Sequence, residues 1–297
     1  MRKNWDCIIV GGGPAGLTAA VYLARFRRRV LVVDSFRSRA RYIPRSHNCP
    51  GFAQGISGTD LLKALRAQAR KYGAQIARGT VDRIARKAGA FTVSSGKQHR
   101  GAASVLIATG IVDIVPAIPG LREGIHRGVV RLCPICDGYE ASGKRIAVYG
   151  PPASVISHAL FLRTYSSQVT AVFSQEGTVP KMLGAQARRH RLAVMAAPQA
   201  IALDESGCRI VTTQREHRFD CFYPTMGFEP KCHLAVSLGA RVDDAGEIIV
   251  SPHMQTSVKR LYAAGDAVSG LHQIAVAVGH AAIAATAIHN QLDGRRA

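Results

Sequence analysis

A run of glycines placed directly after an apolar strand constrains this chain more than any other feature. Cys7-Ile8-Ile9-Val10 leads straight into Gly11-Gly12-Gly13-Pro14-Ala15-Gly16, and Leu17 to Arg25 carries a helical pattern. Val30-Leu31-Val32-Val33-Asp34 follows as a second apolar strand. In such a strand–turn–helix, Gly11 permits the tight turn, Gly13 lets backbone approach a pyrophosphate, and Gly16 lets helix and strand pack closely. Asp34 ends the second strand, where a carboxylate accepts hydrogen bonds from ribose hydroxyls. Glycine spacing alone is a weak signal. The strand before it, the helix after it and the acid beyond make it specific for a dinucleotide-binding unit.

Two later strands favour a flavin dinucleotide over a nicotinamide one at this turn. Val105-Leu106-Ile107 ends in Ala108-Thr109-Gly110, and Leu261-Tyr262-Ala263-Ala264 ends in Gly265-Asp266. An aspartate after such a strand can hold the ribityl hydroxyls of FAD. The helix expected from about Gln273, Ile274 and Ala275 through Ile288 presents its first backbone amides to the electron-rich end of the flavin.

The same grammar recurs further along. Arg145-Ile146-Ala147-Val148-Tyr149-Gly150 reads as strand and turn, about Ser154 to Thr164 as helix, and Val169 to Phe173 as strand. Alternating segments between roughly 200 and 223, such as Arg209-Ile210-Val211-Thr212, read as a β-meander, and so does the stretch 74–107. The expected fold class is α/β, with two Rossmann-like three-layer nucleotide-binding domains. Residues 1–114 and 242–297 form a discontinuous FAD-binding domain, interrupted at 115–241 by a smaller NAD(P)-binding-like domain.

Between the two units lies Cys133-Pro134-Ile135-Cys136-Asp137. Two cysteines separated by two residues can close a small disulfide ring, and an adjoining carboxyl can move a proton. Such a pair means thiol–disulfide chemistry or half of a zinc site. A zinc site needs a second close pair, whereas Cys7, Cys49, Cys208, Cys221 and Cys232 are scattered, so no metal is expected. Seven cysteines, an odd number without framework spacing, suit a reducing compartment. No signal-peptide pattern and no apolar run near the roughly 18 residues of a membrane span is visible. The expected address is the cytoplasm, without a membrane partner.

The formal charge of +20 on 297 residues admits nucleic acid, an acidic protein partner or a solvated surface. Arginines group at 25, 27, 28 and 29 and at 37, 39, 41 and 45, with no interleaved aromatic platform for single strands. A nucleic-acid partner is therefore not expected.

These motifs, in this order, resemble bacterial low-molecular-weight thioredoxin reductases over nearly the whole chain. The residues that carry the resemblance are the Gly11 turn, His47-Asn48-Cys49-Pro50-Gly51-Phe52, Ala108-Thr109-Gly110, Cys133-Pro134-Ile135-Cys136-Asp137-Gly138 and Ala264-Gly265-Asp266. The resemblance implies a homodimer in which Cys136 lies against the flavin and Cys133 attacks a substrate disulfide. Asp137 then serves the leaving thiol as acid or base. It also implies that Asn48, with His47 beside it, approaches the flavin ring, that Val81 joins the FAD-binding set, and that Gly265 and Asp266 hold the ribityl–phosphate portion. The implied partner is a thioredoxin-like protein or a small disulfide or dithiol. Cys49 stands where the family usually has an aromatic residue and reads as a small apolar filler.

One motif departs from the family. NADPH-dependent members carry a second Gly-x-Gly-x-x-Ala/Gly turn, where this chain has Gly150-Pro151-Pro152-Ala153-Ser154-Val155. Prolines remove backbone donors and add bulk where a pyrophosphate approaches. Each lost hydrogen bond to a charged group costs about 1.5–3 kcal/mol, so two cost roughly a hundredfold or more in affinity. The strand after it ends Phe173-Ser174-Gln175, without a ribose-binding acid or a His-Arg-Arg cluster. Inefficient use of NAD(P)H is expected. Three readings follow: a disulfide reductase fed by an acidic carrier such as ferredoxin, an oxygen-dependent oxidase of a small dithiol, and a flavin-bound redox sensor with little turnover.

Overall fold

The protein is described by a computed structural model covering residues 5–268 and 270–292. It divides into two compact units. In the first, β1 (Trp5–Val10), α1 (Pro14–Arg25) and β2 (Val30–Asp34) are followed by α2 (Gly58–Lys71) and β3 (Gln75–Arg78). A meander of β4 (Arg83–Lys87), β5 (Ala90–Ser95) and β6 (Gln98–Ile107) comes next. The short β7 (Ile111–Asp113) leads out of this unit.

The second unit holds α3 (Leu121–Arg127), α4 (Pro134–Asp137), β8 (Ile146–Gly150), α5 (Pro152–Leu162), β9 (Val169–Phe173), α6 (Lys181–Arg189) and β10 (Ala193–Met195). Its own meander is β11 (Ala200–Asp204), β12 (Gly207–Val211) and β13 (Glu216–Phe219), before β14 (Cys221–Pro224). The chain then passes through β15 (Phe228–Pro230), which pairs with β7, to α7 (His233–Val236), β16 (Leu261–Ala263) and α8 (Ile274–Gln291).

The uninterrupted apolar strands have the composition of strands covered on both faces, because alternate side chains enter different layers. Cys7, Ile9, Val30, Val32 and Leu106 meet α1 and α8 on one face of the first sheet. Ile8, Val10, Leu31, Val33, Val105 and Ile107 meet the meander and residues from 232 to 268 on the other. The sheet order is β3-β2-β1-β6-β5-β4, with β16 also on β6. The ten-residue β6 serves two partners along one edge: residues 98–102 pair antiparallel with β5, and residues 105–107 pair parallel with β16. The second unit repeats the plan with an all-parallel β10-β9-β8-β14 sheet and a separate β11-β12-β13 meander. Ile146, Val148 and Tyr223 face α5 and α6, while Ala147, Val172 and Phe222 face α3 and the meander.

The two Rossmann-like units agree with the sequence reading, but their limits differ from 1–114, 115–241 and 242–297. The first unit is Met1–Arg41, Ile56–Val112 and Glu229–Ala297, and the second is Tyr42–Gly55 with Asp113–Phe228. The crossing falls at 228/229, not 241/242, because Cys232, Leu234, Ala235 and Ala240 fill the core under β1 and β2. Tyr42–Gly55 groups with the second unit. The loop is held by its own bonds, including Arg45 Nη1 to Gln54 O at 2.9 Å and Gly55 N to Phe52 O at 2.8 Å. No described helix is long and apolar enough to cross a membrane.

Leu106 is fully buried between Ile9 and Tyr262 in the α1–α8 layer. Leu106→Ala is expected to cost about 2–5 kcal/mol, measured as a lowered midpoint in thermal or urea unfolding; an unchanged midpoint contradicts this packing.

Candidate active site

In the first unit the glycine turn is built to leave no room for side chains. Gly11 adopts φ +111°, and a Cβ there would lie 2.2 Å from the Ala108 carbonyl oxygen. A Cβ on Gly16 would lie 2.0 Å from the Gly11 carbonyl oxygen. Gly12, at a position the motif leaves free, is equally constrained: its Cβ would sit 2.1 Å from the Asp34 carboxylate. Gly13 is the N-cap of α1 and has no side-chain cap; Pro14 takes the first helical position, and Ala15 and Gly16 are buried behind it. The first-turn amides of Ala15 and Gly16 are thus left for an anion, the arrangement that receives a pyrophosphate.

Asp34 ends β2 with 2% of its surface exposed. Its Oδ1 accepts from Phe36 N at 2.7 Å, and Arg66 from α2 reaches its Oδ2 at 3.2 Å. A carboxylate offers about four lone-pair sites, so acceptor capacity remains for a ribose hydroxyl. Arg66 was not legible beforehand, since it lies 32 residues away on another element.

Other residues of this unit converge on the same strand ends. Ala108 N donates to Val10 O at 2.8 Å, Thr109 Oγ1 to Lys231 O at 2.6 Å, and Lys231 N to Gly110 O at 3.0 Å. Gly265 has φ +75°, and a Cβ there would come within 2.9 Å of the Ala15 Cβ, so the Gly265-Asp266 turn lies on the first turn of α1. Asp266 pairs with Arg39 at 3.5 Å. Gln273 caps α8 without a side-chain cap, with Ile274 and Ala275 in its first turn. Val81 packs its side chain into the core with Val33. The cradle, the uncapped α1 and the acceptor at Asp34 fit the adenosine diphosphate half of FAD. His47 and Asn48 fall in Tyr42–Gly55 and thus in the other unit, both exposed.

In the second unit Cys133 and Cys136 form a disulfide with Cα atoms 5.3 Å apart. Cys133 is the N-cap of the one-turn helix α4, and Cys136 N donates to its Sγ at 3.2 Å. The turn needs Gly138, where a Cβ would meet Pro134 O at 2.6 Å and the Tyr165 ring at 2.7 Å. Asp137, one turn after Cys133, is held by two residues the sequence did not single out. Tyr223 Oη donates to its Oδ1 at 2.9 Å, and Arg131 Nη1 stands 3.5 Å from its Oδ2. Burial pushes the Asp137 carboxyl above the ordinary carboxylate range, while the Arg131 charge and the Tyr223 hydrogen bond pull it back. Arg131, six residues before the acid, was visible as a cation beside the cysteine pair; Tyr223, 86 residues away, gave no signal.

The second glycine turn runs into two prolines. Pro151 is the N-cap of α5 and Pro152 its first residue, so neither offers an N–H. Gly177 packs on Pro152, a Cβ there lying 3.2 Å from the ring Cγ. Ser174 Oγ, at the tip of β9 where a ribose-binding acid is absent, is buried without a hydrogen-bond partner.

Gly16→Val is expected to abolish retention of the flavin chromophore at purification while leaving the second unit folded, as read by visible absorbance and circular dichroism. Full retention contradicts the cradle.

The pyridine nucleotide-disulphide oxidoreductase family matches residues 5–281. The thioredoxin reductase of Treponema pallidum is 30% identical, with 99% of each chain covered. That of Bacillus subtilis is 29% identical, covering 98% of this chain and 96% of its own. The crystal structure of thioredoxin reductase from Streptococcus pyogenes superposes with a TM-score of 0.91 at 27% identity, over 98% of both chains. With the flavin-type cradle in one unit and a disulfide beside an acid in the other, the chain belongs to the pyridine nucleotide-disulphide oxidoreductase family, as an FAD-dependent disulfide oxidoreductase of the thioredoxin reductase type.

Proposed function

We propose that this protein exchanges electrons between bound FAD and the Cys133–Cys136 pair, and between that pair and a thioredoxin-like protein or a small disulfide or dithiol, with little use of NAD(P)H. The observation that carries the reading is the Cys133–Cys136 disulfide at the head of a one-turn helix, with Asp137 one turn on. FAD, when bound, supplies a two-electron store. The protein's own part is to hold the cofactor's phosphates at the α1 amides, present a sulfur pair that opens and closes, and keep a proton at Asp137.

Weak nucleotide use is supported by Pro151 and Pro152 in that turn and by the packing of Gly177 on Pro152. Two missing phosphate contacts lower affinity by roughly a hundredfold or more. The charge of +20 favours an acidic electron carrier, such as a ferredoxin, as donor. The five cysteines outside the pair are all buried and free, which suits a reducing cytoplasm. Helix α8 has no Asp, Glu, Lys or Arg and leaves Val278 and Ile283 exposed, supporting association of two copies as a homodimer.

Anaerobic mixing of the flavin-loaded protein with micromolar NADPH or NADH is expected to leave the flavin absorbance nearly unchanged, and rapid bleaching would overturn the nucleotide part of the proposal. With a chemical reductant in place of nucleotide, Cys133→Ser is expected to lose disulfide turnover. If Cys133→Ser turns over normally, the pair is not the reacting centre and a redox sensor is the better account; peroxide released from a dithiol in air points to the oxidase. Light scattering is expected to give twice the chain mass, and a monomer contradicts the homodimer.

A further inference from the structure

Asp137 is gripped more firmly than its place beside a disulfide requires. Arg131 donates from Nε to Gly128 O at 3.0 Å and from Nη1 to Asp137 O at 3.1 Å, while Nη1 faces the carboxylate Oδ2. The backbone aims this side chain: residue 130 bridges Phe222, and Arg131 N donates to Phe222 O at 2.9 Å. The segment leading to Cys133 is thereby stitched to the edge of β14, one residue from Tyr223. Tyr223 has no exposed surface, and its hydroxyl reaches Asp137 at both Oδ1 and the main-chain oxygen. One donor from the approach segment and one from β14 thus take separate oxygens of a single carboxyl.

An ion pair taken largely out of water is a weak source of stability, because desolvation offsets much of the attraction. What two donors on separate oxygens add is direction.

We propose that Arg131 and Tyr223 are positioning residues that clamp the Asp137 carboxyl and fix its exchange of a proton with the neighbouring cysteine pair. The proposal rests on the reading of Cys133–Cys136 as the exchanging disulfide. In the direction easiest to observe, a substrate thiolate attacks Cys133 Sγ, forming a mixed disulfide as the bond to Cys136 breaks. The departing Cys136 thiolate takes the Asp137 proton, and the carboxylate left behind is held by Arg131 and Tyr223. The second substrate thiolate then displaces Cys133, so the substrate dithiol is oxidised by two electrons and the cysteine pair reduced by two.

The charged and titratable groups around Asp137 are Arg131 from the approach segment, Tyr223 and Cys221 from β14, and Glu140 from the following turn. Arg131 and Tyr223 lower the carboxyl's affinity for its proton, and Glu140 raises it. Removing either of the first two therefore lets Asp137 keep its proton to higher pH.

The test uses the flavin-loaded protein and dithiothreitol under anaerobic conditions. Opening of the pair is counted by rapid alkylation and mass spectrometry across a pH series, and each variant's rate is divided by the wild-type rate at the same pH. That division cancels the ionisation of dithiothreitol. For Arg131→Met the ratio is expected to climb with pH by about tenfold or more, since a neighbouring opposite charge moves a carboxyl by about one unit or more. Tyr223→Phe, which removes one oxygen, is expected to climb less in the same direction, and Arg131→Lys to flatten the ratio again. A Tyr223→Phe ratio that is flat or falls with pH overturns the proposal, even if Arg131→Met fails to fold. If dithiothreitol does not open the pair in the wild type, the dithiol reading itself fails and the clamp with it. Wild-type opening with a flat ratio removes only the clamp.

Discussion

The parallel pairing of β16 with the last three residues of β6 is the contact on which the first unit depends. Residues 261–263 and 105–107 are far apart in the chain, yet their register sets the Gly265-Asp266 turn at the same sheet end as Gly11. The pairing is available because β6 outruns β5: its first half is taken antiparallel by the meander, and its second half leaves that edge free. Once β16 is in place, α8 lies along α1, and small side chains from Ala15, Ala277, Ala281, Ala284 and Ala285 fill the seam. Gly265 belongs to the same fit, since a side chain there would strike Ala15. A cofactor cradle made from both ends of a chain is therefore a matter of strand register.

The second unit keeps the same scaffold while its glycine turn carries Pro151 and Pro152, which have no N–H to offer. Four parallel strands and two buried faces are retained, so burial of Val148, Val155 and Tyr223 stabilises the unit whether or not a nucleotide is bound. Prolines suit the N-cap and first position of α5, where an intrahelical N–H partner is missing in any case. Pro151 and Pro152 thus cost the fold little while removing two backbone donors from the turn. That asymmetry lets a family scaffold persist with its second glycine turn altered.

The fold class was readable because strands covered on both faces must be apolar throughout, and the glycine turns marked where two of them end. The Cys133-x-x-Cys136-Asp137 group was readable for a similar reason: the disulfide and its neighbouring acid lie within one helical turn, so local spacing carries the geometry. The unit boundaries were less legible. Residues 229–241 have no long periodic pattern, and only their side chains in the core under β1 and β2 assign them to the first unit. The loop Tyr42–Gly55, with His47 and Asn48, carries motif residues without any strand to reveal which unit it joins.

The sequence by itself determined the chemistry that is local: the strand–turn–helix of Gly11 to Gly16, the acid that ends β2, the cysteine pair with Asp137, and the prolines in the second turn. Each of these acts over a few bonds of chain, where backbone conformation follows from residue type. Tertiary structure decided which cations and hydroxyls face those groups. Arg66 on Asp34, Arg39 on Asp266 and Tyr223 on Asp137 all come from distant elements. Even Arg131 reaches Asp137 only because its backbone is pinned to Phe222. The electrostatic surroundings of a carboxyl depend on what packing places within a few ångströms of it, and that distance is not written in the spacing of the chain.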